Sequence, residues 1–317
     1  MKLAQISNLS QRGAQLASVI LENEPVLQAF EFKQDPSYYN VITDGASYTG
    51  ASARAENAAL SKDSQKPNPA GRSLALYGRE IGIDDVRRLD ANVGVSPAGL
   101  QMFADRQLKK LAKKLSSEVV VDMFQGTDAS NKMLGLAEFI KDASSGGQTA
   151  RLGFTASDLA NMNAQASLKL DTTANQDAFM EILEKKMAEV PGANMIVVNT
   201  NLKARLSTIA RRLGALGQSL NTFGQQVQTF NGVPFYAVST NALPQTESDG
   251  TNADNCSLFV LRTSEDLGQS FSTNSGFYFS DFTEVQAKPE GIARLQFFLN
   301  LTVDTDNAVR RVSRIRL

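Results

Sequence analysis

The stretch from Ser96 to Gln125 reads SPAGLQMFADRQLKKLAKKLSSEVVVDMFQ, and its reading decides the fold. Ser96 can accept from the free amides of a first helical turn, and Pro97 at the first helical position has no amide to leave unpaired. Leu100, Phe103, Leu108, Leu111, Leu115, Val119 and Met123 recur every three to five residues. Arg106, Lys109, Lys110, Lys113 and Lys114 take much of the opposite side. After Gly99 neither glycine nor proline intervenes until Gly126, which serves as a terminator. The spacing predicts one amphipathic helix about 44 Å long at roughly 1.5 Å per residue, with a buried face and a strongly basic one.

A partner of matching length lies far along the chain. From Ala293 to Asp304, Leu295, Phe297, Leu299, Leu301 and Val303 alternate with Arg294, Gln296, Asn300, Thr302 and Asp304, which is the period of a half-buried strand. At about 3.3 Å per residue it spans roughly 40 Å. A helix and a strand of equal, unusual length predict an elongated domain in which the helix lies along a long narrow sheet.

The segments before the helix build no core of their own. Residues 1 to 38 combine a weakly amphipathic run, Leu3 to Leu21, with a part broken by Pro25 and Pro36 that carries Phe30, Phe32, Tyr38 and Tyr39. Such an arm gains most by laying its aromatics on another surface, its own or a neighbour's. Asn40 to Pro69 is dominated by small and polar residues. Tyr48 to Arg54 and Arg72 to Arg79 read as the arms of a two-stranded excursion with a tip at Ser61 to Pro69, although a plain linker fits the same composition. A lone hairpin is marginal in water and must lean on something outside itself.

After the helix the elements shorten. Leu136 to Asp142 suits a short strand or a helical turn. Leu152 to Gln165 suits a helix capped near Thr155, and Asn175 to Glu189 a second with Phe179, Ile182, Leu183 and Met187 inward. Met195 to Val198 is a short buried strand, followed by a helix from Asn201 to Gly214 with Leu202, Leu206, Ile209 and Leu213 facing in. Gly214 to Gln226 reads as a flexible polar loop. Val227 to Phe230 and Val233 to Val238 flank Asn231-Gly232, the pair that suits a type I′ hairpin turn. Cys256 to Leu261, Gly276 to Val285 and a basic strand with Arg310, Arg311, Arg314 and Arg316 complete the reading.

Composition narrows the chemistry. The 317 residues are 42% hydrophobic and 21% charged, with a formal net charge of -1, which describes a folded chain and not a dedicated nucleic-acid binder. With no histidine, histidine-based triads, general bases and metal sites are excluded. The single cysteine, Cys256, rules out an internal disulfide, and its apolar strand suits an inert buried thiol. Neither a secretory signal nor an apolar run long enough to cross a membrane is present. Neither phosphate-loop nor dinucleotide fingerprint occurs. No cofactor, metal or catalytic residue is expected. Asp84-Asp85 and Glu181 with Glu184 read as exposed carboxylates rather than acid-base pairs.

In this order the chain resembles a tailed-bacteriophage major capsid protein with the Hong Kong 97 fold. Asn194 to Arg212 and Thr229-Phe230-Asn231-Gly232-Val233-Pro234-Phe235 are similar to the family's strand-helix entry and its proline-bearing strand. Glu290-Gly291-Ile292-Ala293-Arg294 onward, ending Ala308-Val309-Arg310-Arg311-Val312, is similar to its closing strands. The resemblance spans nearly the whole chain and rests on order and texture. It implies an α+β capsid fold with an N-terminal arm (1–38), an extended β-hairpin loop (39–82) and a peripheral domain (83–190) with its spine helix at 97–125. It further implies an axial α/β domain (191–269), return strands of the peripheral domain (270–306) and a final strand joining the axial domain (307–317).

The implied function is structural: self-assembly into hexamers and pentamers of an icosahedral head in the virion, built in the host cytoplasm and enclosing double-stranded DNA held nonspecifically. Portal, scaffolding or decoration proteins are the implied partners, and no membrane. An arm that starts almost at Met1 implies a separate scaffold or none. Phe30, Phe32, Tyr38, Tyr48, Lys62, Lys66, Arg72, Tyr77 and Arg79 are the expected intersubunit contacts. Lys62 and Lys66 also lie where some relatives crosslink, without a matching asparagine or carboxylate here. An encapsulin-like cargo compartment is the alternative within the fold, and an α/β enzyme the alternative outside it.

Overall fold

A computed structural model describes residues 11–34, 41–44, 69–72, 74–84, 97–127, 132–142, 154–214, 216–220, 226–264, 268–285 and 288–317. Helices α1 (Gln11–Asn23) and α2 (Val26–Ala29) lead into strand β1 (Phe32–Gln34). Strands β2 (Val41–Asp44) and β3 (Pro69–Arg72) pair with each other, and β4 (Ala75–Asp84) precedes the long helix α3 (Pro97–Gln125). Next come α4 (Leu136–Phe139), α5 (Ala156–Asn161), β5 (Asn163–Lys169), α6 (Thr173–Ala188), β6 (Met195–Asn199) and α7 (Thr200–Arg212). Strands β7 (Leu216–Leu220), β8 (Gln226–Phe230), β9 (Val233–Val238), β10 (Cys256–Leu261), β11 (Gln269–Val285), β12 (Lys288–Val303) and β13 (Val309–Arg316) follow.

The helix and strand of matched length meet as expected. Leu108, Ala112, Leu115, Val119 and Met123 of α3 are all buried, in one core with Ala293, Leu295, Phe297 and Leu299 of β12. Four strands make this sheet, in the order β1-β11-β12-β4, antiparallel except where β1 runs parallel to β11. Gly126 ends α3 for a reason other than a left-handed turn. A Cβ there would stand 2.0 Å from the Met133 carbonyl oxygen, and Gly135 donates to the Gly126 carbonyl at 2.8 Å. Two glycines thus let the chain double back tightly against the end of the helix.

The second sheet has seven strands, β5-β13-β10-β6-β9-β8-β7. Its central strands are apolar on both faces, as expected where both faces are covered. Ile196, Val198, Leu258 and Val260 pack under α6 and α7 with Phe179, Leu183, Leu202 and Leu206. Met195, Val197, Phe259 and Leu261 point the other way, into the core of α3, where Phe259 lies 5.7 Å from Phe124. Strand β6 runs into α7 through Asn199, whose side-chain oxygen accepts from the Leu202 amide at 2.7 Å while its amide donates to the Leu243 carbonyl at 3.2 Å. The β8–β9 turn has φ of 48° at Asn231 and 83° at Gly232, the two positive angles a type I′ turn needs.

Several expectations are corrected. The excursion pairs Val41–Asp44 with Pro69–Arg72, and residues 75–84, expected as its second arm, are drawn into the four-stranded sheet beside β12, while Tyr48–Arg54 lies outside the described residues. Asn163–Lys169 is a strand and not the tail of a helix, since it can add its backbone to β13 in parallel. Leu216–Leu220 is a strand on β8 rather than a loop. Leu213, expected to face in, is 44% exposed because α7 ends at Arg212. Strand β11 begins at Gln269, seven residues earlier than its aromatic run.

Candidate assembly interface

The surface that offers itself for contact lies where β4 meets α3. Strand β4 is one edge of the four-stranded sheet, bonded to β12 from Ala75 opposite Leu299 to Asp84 opposite Glu290. Its side chains alternate. Tyr77 turns inward, its hydroxyl accepting from the Met133 amide at 3.2 Å. Burial pushes its phenol well above the ordinary value, and the neighbouring Asp122 carboxylate adds to this against the amide's pull. Leu76 turns outward and is 58% exposed; on the same outer face Tyr278 of β11 is 49% exposed. An exposed apolar pair beside a strand that is an edge among the described residues is what proteins normally cover.

A cleft of about 650 Å³ runs between this edge and the helix, lined by Leu76, Tyr77, Gly78, Lys114, Val121 and Asn241 among others. Its walls are tied by two ion pairs, Arg79 to Glu118 at 3.0 Å and Lys132 to Asp122 at 2.9 Å. The first joins β4 to α3, and the second ties the turn after α3 back onto the helix. Arg79 and Glu118 stay well exposed, so that pair orients more than it stabilises.

The helix surface from the cleft's rim at Lys114 outward is basic. From residue 105 to 114 the exposed side chains are Arg106, Lys109, Lys110, Lys113 and Lys114 and no others. The arginines of β13 have the opposite fate. Arg311 is buried, bonding the Ser257 hydroxyl, the Ala137 and Ile140 carbonyls and, at 3.0 Å, Glu247. Arg310 meets Glu189 at 2.9 Å. Arg314 sits at a bulge with φ of 59° and forks onto Asp142 at 2.7 and 3.1 Å, with Ser313 bonding the same carboxylate. Arg316 donates to Asn252. These four guanidinium groups are consumed in joining β13 to the loops around it.

The expected contact residues divide accordingly. Phe30 and Phe32, expected to seat on a neighbour, are instead buried in this chain's own core, Phe30 tilted against Phe271 and Phe32 stacked on it at ring distances of 5.0 and 5.3 Å. Their spacing on either side of Glu31 gave no sign of which surface would take them. Tyr77 and Arg79 make the intramolecular contacts just described. Arg72 pairs through its backbone with Val41. Tyr38, Tyr48, Lys62 and Lys66 lie outside the described residues. Leu76 and Tyr278 were not singled out beforehand. The signal for them is strand alternation, which places Leu76 opposite Tyr77 and Tyr278 between Phe277 and Phe279.

Among the described residues no group of His, Cys, Asp and Glu gathers as a metal site, and no helix is long and apolar enough to cross a membrane. Burial first, and Glu247 second, push the Cys256 thiol up to about 12, so it stays protonated and unreactive at neutral pH.

No protein-family model matches the sequence, and no curated protein matches it. The fold is another matter. An encapsulin from Synechococcus elongatus PCC 7942, solved as the holo-SrpI complex, is 12% identical, with 98% of this chain and 94% of that one covered at a TM-score of 0.59. The cyanophage A-1(L) capsid is 13% identical, with 95% and 92% covered at 0.58. The capsid of a native GTA particle is 15% identical, with 93% and 90% covered at 0.56. The chain therefore has the Hong Kong 97-like capsid fold over almost its whole length, and the described part of its N-terminal segment, expected to build no core, places Leu16, Ile20, Val26 and Leu27 in the core of α3.

Proposed function

We propose that the protein is the major subunit of a phage head: a non-catalytic chain that assembles into hexamers and pentamers of a closed icosahedral shell around double-stranded DNA, in the virion. The observation that carries this reading is the correspondence of almost the entire chain, not one module of it, with subunits of capsids. The physical arrangement agrees. Among the described residues, β4 is an edge of the four-stranded sheet with Leu76 and Tyr278 exposed on its outer face, and heterologous contacts repeated around an axis close such surfaces into rings. Assembly in the host cytoplasm, with portal, scaffolding or decoration proteins and without a membrane, belongs to the same reading. The absence of histidine and of phosphate-binding motifs is what disfavours an α/β enzyme.

A cargo-holding compartment is the second reading, favoured by the encapsulin correspondence. The test is expression of the full chain followed by size-exclusion chromatography and negative-stain microscopy. Closed shells, or hexamers and pentamers, support the assembly reading; a stable monomer overturns it. Shells in cells that co-purify with one protein and no DNA decide for the compartment over the head.

A further inference from the structure

The geometry points to the basic flank of α3 as the surface on which the shell holds the phosphodiester backbone of nucleic acid, without reading its sequence. The inference rests on the shell reading only for where that nucleic acid is found, inside the particle. Three observations carry it. First, all five exposed side chains between residues 105 and 114 are cations, with neither a carboxylate nor an exposed apolar group among them. Second, none of the five is in a salt bridge among the described residues, although Arg79, Lys132 and Lys186 nearby or elsewhere are all paired. Third, the chain's net charge is -1, so removing these five leaves -6 on everything else. The rest of the molecule repels a polyanion on balance, which concentrates any attraction on this one helix.

The shape of the flank fits a backbone rather than a protein. Arg106, Lys110 and Lys113 stand four and three residues apart, so their Cα atoms lie on one side of the helix with about 5–6 Å between neighbouring side chains. From Arg106 to Lys114 the row covers about 12 Å of helix axis. A protein partner at a stable interface needs an apolar centre, and the flank has none. A double helix presents a phosphate every 1.7 Å or so of its axis and asks only for cations that can shift from one to the next. Lysine stems are flexible and carry point charges, which suits such undirected contact better than bidentate base reading.

The test uses the full chain and a variant in which all five are neutralised, R106Q/K109Q/K110Q/K113Q/K114Q, glutamine being as good a helix former as lysine. A control, K169Q/K185Q/R211Q, removes three exposed cations elsewhere. The affinity of a random-sequence 30-base-pair duplex is measured by fluorescence anisotropy between 50 and 200 mM NaCl. With five contacts the slope of log affinity on log salt is about -4.5, a loss of about five-hundredfold over that range. The five-site variant is expected to fall to a slope shallower than about -1, with the control unchanged. A single-stranded RNA of equal length serves as second ligand: tighter duplex binding identifies DNA as the occupant, and equal or tighter RNA binding identifies RNA. An unchanged slope in the five-site variant, or an equal loss in the control, overturns the assignment. Loss of particles by the variant with duplex affinity retained also overturns it and makes the flank a subunit contact. If the wild-type chain forms no particles yet loses duplex binding on neutralisation, the shell reading fails while the phosphate surface stands.

Discussion

The seven-stranded sheet and the four-stranded sheet use the same alternation of side chains to opposite ends. In β6, Met195 and Val197 enter the core shared with α3 while Ile196 and Val198 lie under α6 and α7, and all four are fully buried. In β4, Ala75 and Tyr77 enter a core while Leu76 between them stands exposed. Charges follow the same division. The arginines of β13 are spent on Glu189, Glu247 and Asp142 inside the first unit, whereas Arg106 and the four lysines of α3 face solvent beside the second. The first sheet is completed by its own chain. Among the described residues the second is covered on one face only, with Leu76 and Tyr278 exposed on the other.

Substitutions can break or sharpen this contrast. Phe259→Ala, at the seam of the two units against Phe124, is expected to cost about 3–5 kcal/mol in denaturant unfolding. Arg311→Ala is expected to cost a similar 3–5 kcal/mol, since it strands Glu247 and two buried carbonyls, while Arg311→Ala combined with Glu247→Ala should recover part of the loss. A double variant no more stable than the single would show that the pair is not the lock of β13. Gly232→Val forces a branched residue to φ of 83° and should lose about 1–2 kcal/mol through the β8–β9 hairpin.

Acid offers a milder probe. Burial raises the Glu189 carboxyl, but the hydrogen bonds and charges of Lys186 and Arg310 outweigh it and hold the group below its ordinary 4.5. A depressed carboxyl contributes stability that is present above its ordinary value and is lost as pH falls through the folded one. Glu189→Gln should therefore flatten the fall in Tm between about pH 5 and 3; a curve parallel to wild type would exclude the contribution. The smallest effect on the subunit is expected for Leu76→Ser, within about 0.5 kcal/mol because the side chain is already in water. The same change should lower particle yield in microscopy. If it melts the subunit as Phe259→Ala does, the outer face of the four-stranded sheet is core after all.

What could be read beforehand follows from the length of the signal. The helix at 97–125 and the strand ending at Val303 announce themselves because period 3.6 and period 2 are sampled many times. Asn231-Gly232 and the Thr155 capping box are read from two to four residues because their chemistry is local: Thr155 accepts from Asp158 and Asp158 answers the Thr155 amide at 2.9 Å. Strands β5 and β7 escaped since both are edges with few apolar residues, held by backbone bonding to neighbours remote or adjacent. The side on which Phe30 and Phe32 would be buried was equally invisible. Their partner Phe271 is more than two hundred residues away, and aromatic character states a need for cover without naming the cover.

The position of β13 within its sheet sets a condition on synthesis. It lies between β5 and β10, parallel to one and antiparallel to the other, so residues made up to 308 present two strands with a gap between them. A ribosome that stalls before that point releases a chain whose sheet is split, whose Asp142 and Glu247 lack their arginines and whose Glu189 keeps only Lys186. Pairing over such sequence distance is slow to form. The fold thereby inspects its own completeness: a chain missing its last strand keeps a seven-stranded sheet divided in two, however well the remainder has formed.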